Sequence, residues 1–86
     1  MISPAPGTRF TSSSVVFTWT QVATADAYWL DVGSSVGKGD ISAGQTTLTS
    51  RTVNGIPTDG RAIYVRLWTR IAGVWQTPVD YLYQAQ

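Results

Sequence analysis

The sequence contains no cysteine, no histidine and no glutamate among its 86 residues, and it has one lysine and one methionine. Without cysteine there are no disulfides or thiolate ligands, and without histidine the Ser-His-Asp, Cys-His and imidazole-metal arrangements are excluded. Because Glu, Lys and Met are also among the strong helix formers, their scarcity disfavours a helical fold. These absences predict a non-enzymatic protein that needs no cofactor and no metal.

Charge and long apolar runs are also scarce. The formal net charge is +1 and the basic residues are scattered, whereas nucleic acids and anionic membranes require a basic stripe that neutralises several phosphates. No apolar run approaches the roughly 20 residues of a membrane span, and no signal peptide is recognised. We therefore expect no nucleic acid partner and no membrane insertion.

Five aspartates are the only carboxylates, and a glycosidase needs only two. Asp26 and Asp59 lie in turn-like segments, where aspartate is a common turn former. Asp40 begins a short strand, and Asp31 has a cross-strand role described below. The structural interpretation is therefore favoured for these aspartates, and no catalytic residue is assigned.

The segment Gly33-Ser-Ser-Val-Gly-Lys-Gly39 resembles a phosphate-binding loop because a strand precedes it and a Gly-Lys pair occurs near its end. Its spacing is one residue short, Gly39 stands where Ser or Thr would bind magnesium, and no helix follows. A calcium site at Asp40 lacks the alternating carboxylates of such loops. We interpret the segment as a flexible loop without a ligand.

The sequence is rich in the patterns that are typical of β-strands. Aromatic residues make up 12% of the chain. In residues 63–68, Ile63, Val65 and Leu67 occupy every second position, which is typical of a strand with one buried face. The chain is short enough to be one domain, residues 1–86. It is predicted to be an all-β, two-sheet antiparallel β-sandwich of about seven strands, at residues 2–10, 15–20, 27–32, 40–43, 46–53, 63–68 and 74–83.

Strand periodicity also predicts which side chains are buried. Trp19 is expected between the sheets, against Leu30, Val65 and Leu67. Arg51 shares the inner parity of its strand, so it is expected at a sheet edge with its charge reaching solvent. Pro78 cannot donate a ladder hydrogen bond, so the last strand is predicted to be an edge strand with a bulge there.

A set of aromatic and charged residues is predicted on the outer face of the third and sixth strands. An antiparallel register that places Asp31 opposite Arg66 also places Trp29 opposite Trp68, which predicts an ion pair and a contact between the two indoles. Two further residues after the sixth strand extend the set. We call the six residues the aromatic face: Trp29, Asp31, Arg66, Trp68, Arg70 and Trp75.

The pattern resembles that of fibronectin type III domains over nearly the whole chain. The matching features are Trp19 in the second strand, the Y-x-L-x-V of residues 28–32, and the V-N-G-I-P turn before a strand of alternating apolar residues. The family's inward tyrosine at the start of its sixth strand is replaced here by Ile63. The resemblance implies immunoglobulin-like topology and, in its compact bacterial form, an extracellular or cell-surface accessory domain.

Two functions remain open at this point. The first, implied by the resemblance, is a non-catalytic spacer or scaffold module of a multidomain secreted or cell-surface bacterial protein, whose partners are neighbouring domains of the same polypeptide. The second is a module that binds a polysaccharide or another protein. Exposed aromatic surfaces such as the aromatic face often mark recognition sites, but they also stabilise sheets by cross-strand packing. Any binding is predicted to use the aromatic face rather than the 33–39 loop.

Overall fold

In the computed structural model, which describes residues 2–86, the chain forms two antiparallel β-sheets, and these residues contain no helix. One sheet has the order β1-β2-β5. The other has the order β4-β3-β6, with β7 and β8 following one another along the far side of β6. The strands are β1 (Ile2–Ser3), β2 (Val15–Trp19), β3 (Ala25–Gly33), β4 (Ser42–Thr46), β5 (Ser50–Val53), β6 (Ala62–Ile71), β7 (Val74–Trp75) and β8 (Val79–Gln84).

The two sheets share one apolar core, so the all-β, sandwich-like arrangement predicted from the sequence is confirmed. Side chains alternate between buried and exposed along β2, as the period-2 pattern requires. Trp19 is 6% exposed and lies in the same core cluster as Leu30 and Val65, with Leu67 packed at its margin. Its nearest aromatic neighbour is Tyr28, in an edge-to-face contact with 5.7 Å between ring centroids. The predicted position of Trp19 is therefore correct.

A second part of the core is an aromatic cluster around Tyr83, whose orientation the sequence did not determine. The Tyr83 ring stacks on Phe10 at 5.1 Å and meets Phe17 edge-on at 5.6 Å. Its hydroxyl donates a hydrogen bond to the carbonyl oxygen of Pro4 at 2.7 Å. Tyr83 therefore ties the segment after β1 to the last strand.

The register of the last strand changes at Pro78. In β7, Trp75 pairs with Arg70, whereas in β8 Asp80 pairs with Arg66, which is one residue out of step with a continuous hairpin. Pro78 lies between the two strands. The prediction of an edge strand interrupted at Pro78 is confirmed, and the single-residue shift determines which side chains of this edge face outward.

Arg51 lies on the edge strand β5, as predicted from its parity, and its side chain is partly buried. Its guanidinium group lies against Gly44 of β4, where any side chain would collide with it. The side chain therefore reaches from one sheet to the other at this edge.

The bounds of the neighbouring strands β4 and β5 differ from prediction. β4 begins at Ser42 because Asp40 is used to close the preceding loop, and β5 is limited to Ser50–Val53.

Candidate functional site

The outer face of β3 and β6 is positioned by the register of these two central strands. Trp29 pairs with Trp68 and Asp31 pairs with Arg66, which is the predicted register. The residues that alternate with them point into the core, so these four side chains share the outer face. The structure therefore brings together on one surface the residues that the sequence grouped.

The predicted ion pair between Asp31 and Arg66 is wrong, although the two residues are opposite one another. The Asp31 carboxylate accepts one hydrogen bond from Nε1 of Trp29 at 2.7 Å and another from Nε1 of Trp68 at 3.1 Å. Arg66 turns to the strand on its other side and donates to both oxygens of Asp80, at 2.6 and 3.0 Å. The two-point geometry of a guanidinium on a carboxylate favours this partner.

Trp29 and Trp68 lie opposite one another on the same face, as predicted, and their indole N–H groups are joined through Asp31. The ring that meets Trp29 is Trp75, with 6.5 Å between centroids and planes at 88°. Trp75 is brought to this face by the hairpin between β6 and β7, whose two turn residues, Ala72 and Gly73, have φ of 51° and 75°. Positive φ at both positions is the type I′ turn, which matches the twist of paired strands.

Both arginines of the aromatic face are neutralised by aspartates. Arg70 donates from Nε to Asp26 at 2.8 Å, and the other oxygen of Asp26 accepts the backbone N–H of Gly73 at 3.0 Å. Asp26 can reach both because it is the extra residue of a bulge in β3. The hydrogen bond from Arg70 lowers the pKa of Asp26, and the hydrogen bond from Arg66 lowers the pKa of Asp80.

The same arginines lie over indole rings. The guanidinium carbon of Arg66 is 5.9 Å from the centroid of Trp68, and that of Arg70 is 5.5 Å from the centroid of Trp75. These separations fall within the range of cation–π attraction. Each arginine thus contacts a carboxylate and an aromatic ring, an arrangement that stiffens the face.

At the centre of the face is a shallow, open concavity of about 380 Å³, lined by Trp29, Asp31, Trp68 and Trp75. Trp75 is 38% exposed, and the other three lining side chains are partly buried. The surface of the concavity is mainly apolar, with the Asp31 carboxylate as its charged group. Four of the six residues predicted for a binding face therefore form one depression, and Arg66 and Arg70 lie beside its rings.

The glycine-rich loop 33–39 lies against this face. A Cβ atom on Gly37 would be 2.7 Å from Nη1 of Arg66, and one on Gly39 would be 2.9 Å from Oδ1 of Asp31. The loop is closed by Asp40, which accepts hydrogen bonds from the backbone N–H and hydroxyl of Ser34. The glycines allow this close approach, and they support Arg66 and Asp31 from one side.

Two residues of this network, Asp26 and Asp80, were not identified from the sequence. Asp80 could have been found from the alternation of residues 79–83, because two tyrosines on the inner face place it outward, beside Arg66. Asp26 has no comparable signal because its role depends on the bulge in β3. Both hold arginines in place at the border of the concavity.

The described part of the chain offers no grouping of three metal-ligating side chains close enough to hold an ion. Among residues 2–86 there is also no helix of the length and apolarity that a membrane crossing requires. Comparisons of the sequence and structure with protein-family models, curated proteins and solved structures found no significant match. The basis for a functional proposal is therefore the fold and the geometry of the aromatic face.

Proposed function

We propose that this chain is a non-catalytic spacer or scaffold module with the topology of a fibronectin type III domain, within a multidomain secreted or cell-surface bacterial protein. The strand order is the observation that carries the proposal. In immunoglobulin-like sandwiches the first, second and fifth strands share a sheet, and the third and sixth strands are neighbours in the other. The same relationships hold here among β1, β2 and β5 and between β3 and β6.

The shape of the molecule and the positions of its ends also support a spacer. The molecule measures 40 × 19 × 19 Å along its principal axes. Ile2 pairs with Trp19, and Trp19 contacts Tyr28, which lies beside the C-terminal end of β6. At the other end of the chain, the carbonyl oxygen of Gln86 accepts a hydrogen bond from the backbone N–H of Gly60, just before β6 begins. A chain that enters near one end and leaves near the other can hold flanking domains apart.

The contacts on the outer face also support a structural role. Asp31 joins two indoles, Asp26 and Asp80 hold two arginines, and both arginines lie over rings. Cross-strand pairs of this kind stabilise a sheet and fix its register. Side chains that bond to one another across the strands in this way make the sheet more rigid.

The spacer function can be tested in the full-length gene product by replacing this module with an unrelated sandwich domain of similar length. A spacer tolerates the replacement, so the activity and surface display of the host protein should be retained. As a matched control, a flexible Gly/Ser linker of equal residue number should not substitute, because it does not fix the separation of its ends. Loss of activity with the unrelated rigid domain would contradict the proposal.

A second candidate function is binding of a polysaccharide or protein at the aromatic face, and the concavity lined by three tryptophans favours it. Rigid aromatic side chains on a sheet lose little conformational entropy when they contact a ligand. The test is a polysaccharide pull-down or glycan array with the parent and with Trp75→Ala, which removes the most exposed ring of the concavity. Leu82→Ala is the matched control because Leu82 is 51% exposed and lies outside the concavity. Equal retention of all three proteins would contradict binding at this face.

A further inference from the structure

We propose that the concavity of the aromatic face binds a quaternary ammonium group, a ligand class that goes beyond the general binding function given above as the second candidate and rests on it. The argument uses the orientation of the rings, the charge balance around them and the hydrogen bonds that are already made. Recognition of such cations by several aromatic faces is a general property of aromatic side chains.

The first support is the orientation of the rings. The planes of Trp29 and Trp75 stand at 88° to one another with centroids 6.5 Å apart, so they form two perpendicular walls of a corner. Trp68 lines the same concavity. The guanidinium groups of Arg66 and Arg70 already lie over Trp68 and Trp75, so a ligand in the concavity would contact the parts of these rings that the arginines leave uncovered. A quaternary ammonium is roughly spherical and presents carbon-bound hydrogens on every side, so it can contact two perpendicular ring faces at once, which a flat ligand cannot.

The second support is the charge balance. Arg66 and Arg70 each have a carboxylate partner, Asp80 and Asp26 respectively, so their positive charges are compensated at the border of the concavity. The Asp31 carboxylate is different because the groups that hydrogen-bond to it are two neutral indole N–H groups. Asp31 therefore leaves one negative charge at the concavity, which is complementary to a monovalent cation.

The third support comes from the hydrogen bonds. A sugar ligand needs a flat stacking platform together with free donors and acceptors for its hydroxyl groups. Here two of the three indole N–H groups already bind Asp31, and each arginine already donates from Nε to an aspartate. A quaternary ammonium has no N–H to donate, so its binding does not depend on the donors and acceptors that these hydrogen bonds already use.

The experiment compares three ligands of related shape on the intact protein, with tryptophan fluorescence and amide chemical shifts as readouts. Choline chloride is the probe, 3,3-dimethylbutan-1-ol is its uncharged isostere, and ethanolamine is its unmethylated counterpart; sodium chloride at equal concentration controls for ionic strength. We expect saturable choline binding with a Kd on the order of 1–10 mM. The isostere and ethanolamine should each bind at least about tenfold more weakly, which corresponds to about 1.4 kcal/mol.

Two variants locate the site. Trp75→Ala removes an exposed wall of the corner and should weaken choline binding about tenfold, while Leu82→Ala on the same sheet should leave it unchanged. Equal binding of choline and its isostere, or no saturation by choline well above 10 mM, would overturn the proposal. A soluble oligosaccharide that binds with the same dependence on Trp75, without a response to choline, would also overturn it while leaving the aromatic face a binding site.

Discussion

Replacing Tyr83 with phenylalanine tests the aromatic core, because the change removes one hydroxyl group and keeps the ring. Tyr83 is 2% exposed and its ring packs on two phenylalanines, while its hydroxyl donates a hydrogen bond to the Pro4 carbonyl oxygen at 2.7 Å. At about pH 7, Tyr83→Phe should lower the free energy of unfolding by about 0.5–1.5 kcal/mol, the net contribution of one such hydrogen bond.

The same variant should have the opposite effect at high pH. Burial, with a smaller contribution from the charge of Tyr81, raises the pKa of Tyr83 from 10.0 to about 12. The folded state then keeps a proton that the unfolded chain has lost, so this contribution to stability is complete below about pH 10 and is lost as the pH rises through about 12. A difference of two pKa units corresponds to about 2.7 kcal/mol, of which about half is lost by pH 11.

The assay is urea unfolding of parent and variant, followed by tryptophan fluorescence at several values between about pH 7 and pH 12. Other titrating groups are common to both proteins and cancel in the difference. The parent should be the more stable near pH 7, the two should be about equal near pH 11, and the variant should be the more stable near pH 12. A difference that stays constant across this range would refute a buried, protonated phenol at this position.

Three further predictions concern other parts of the sandwich. Trp19→Ala should cost about 3–5 kcal/mol in urea unfolding because it empties a buried site between the sheets, and a loss below about 1 kcal/mol would contradict its placement. Ala72→Asn should raise the free energy of unfolding by about 0.5–1 kcal/mol, because asparagine tolerates the φ of 51° better than alanine; destabilisation would contradict the type I′ turn. Hydrogen bonds from Arg61 lower the pKa of Asp59 to about 2, so its stabilising contribution should be complete above about pH 4 and be lost as the pH falls through about 2. In acid-unfolding curves, Asp59→Asn should remove the part of the stability loss that comes from protonation of Asp59. An unchanged curve would contradict the ion pair between Asp59 and Arg61.

The sequence predicted the central strands well because period-2 alternation fixes the faces of a strand that has neighbours on both sides. Once Trp29 and Asp31 are placed outward, a register that aligns them with Trp68 and Arg66 follows, and the structure has that register. The inward position of Trp19 and the edge position of Arg51 follow from the same parity. The facing of side chains and the register of the central strands were therefore predictable, because both depend on alternation alone.

The partners of the charged groups were less predictable, because a residue on a central strand has candidates on both sides. Arg66 has Asp31 on one side and Asp80 on the other, and its choice depends on the register of β8, which Pro78 obscures in the sequence. The acceptor role of Asp31 toward two indoles depends on side-chain rotamers that no pattern of residue types specifies. The position of the glycine-rich loop 33–39 against the aromatic face likewise depends on tertiary contacts, which no pattern of residue types specifies.

The single-residue shift at Pro78 connects the core to the candidate site. Trp75, Tyr81 and Tyr83 are separated by even numbers of residues, so an uninterrupted strand would place all three on the same face of the sheet. With the shift, Trp75 pairs with Arg70 on the outer face, while Tyr81 and Tyr83 pair with Val65 and Ile63 on the inner face. One irregularity at an edge strand therefore supplies the core with its largest fully buried side chain and the concavity with its most exposed ring. Because a proline disrupts the ladder of a strand at low cost only at an edge, the position of Pro78 is what permits both.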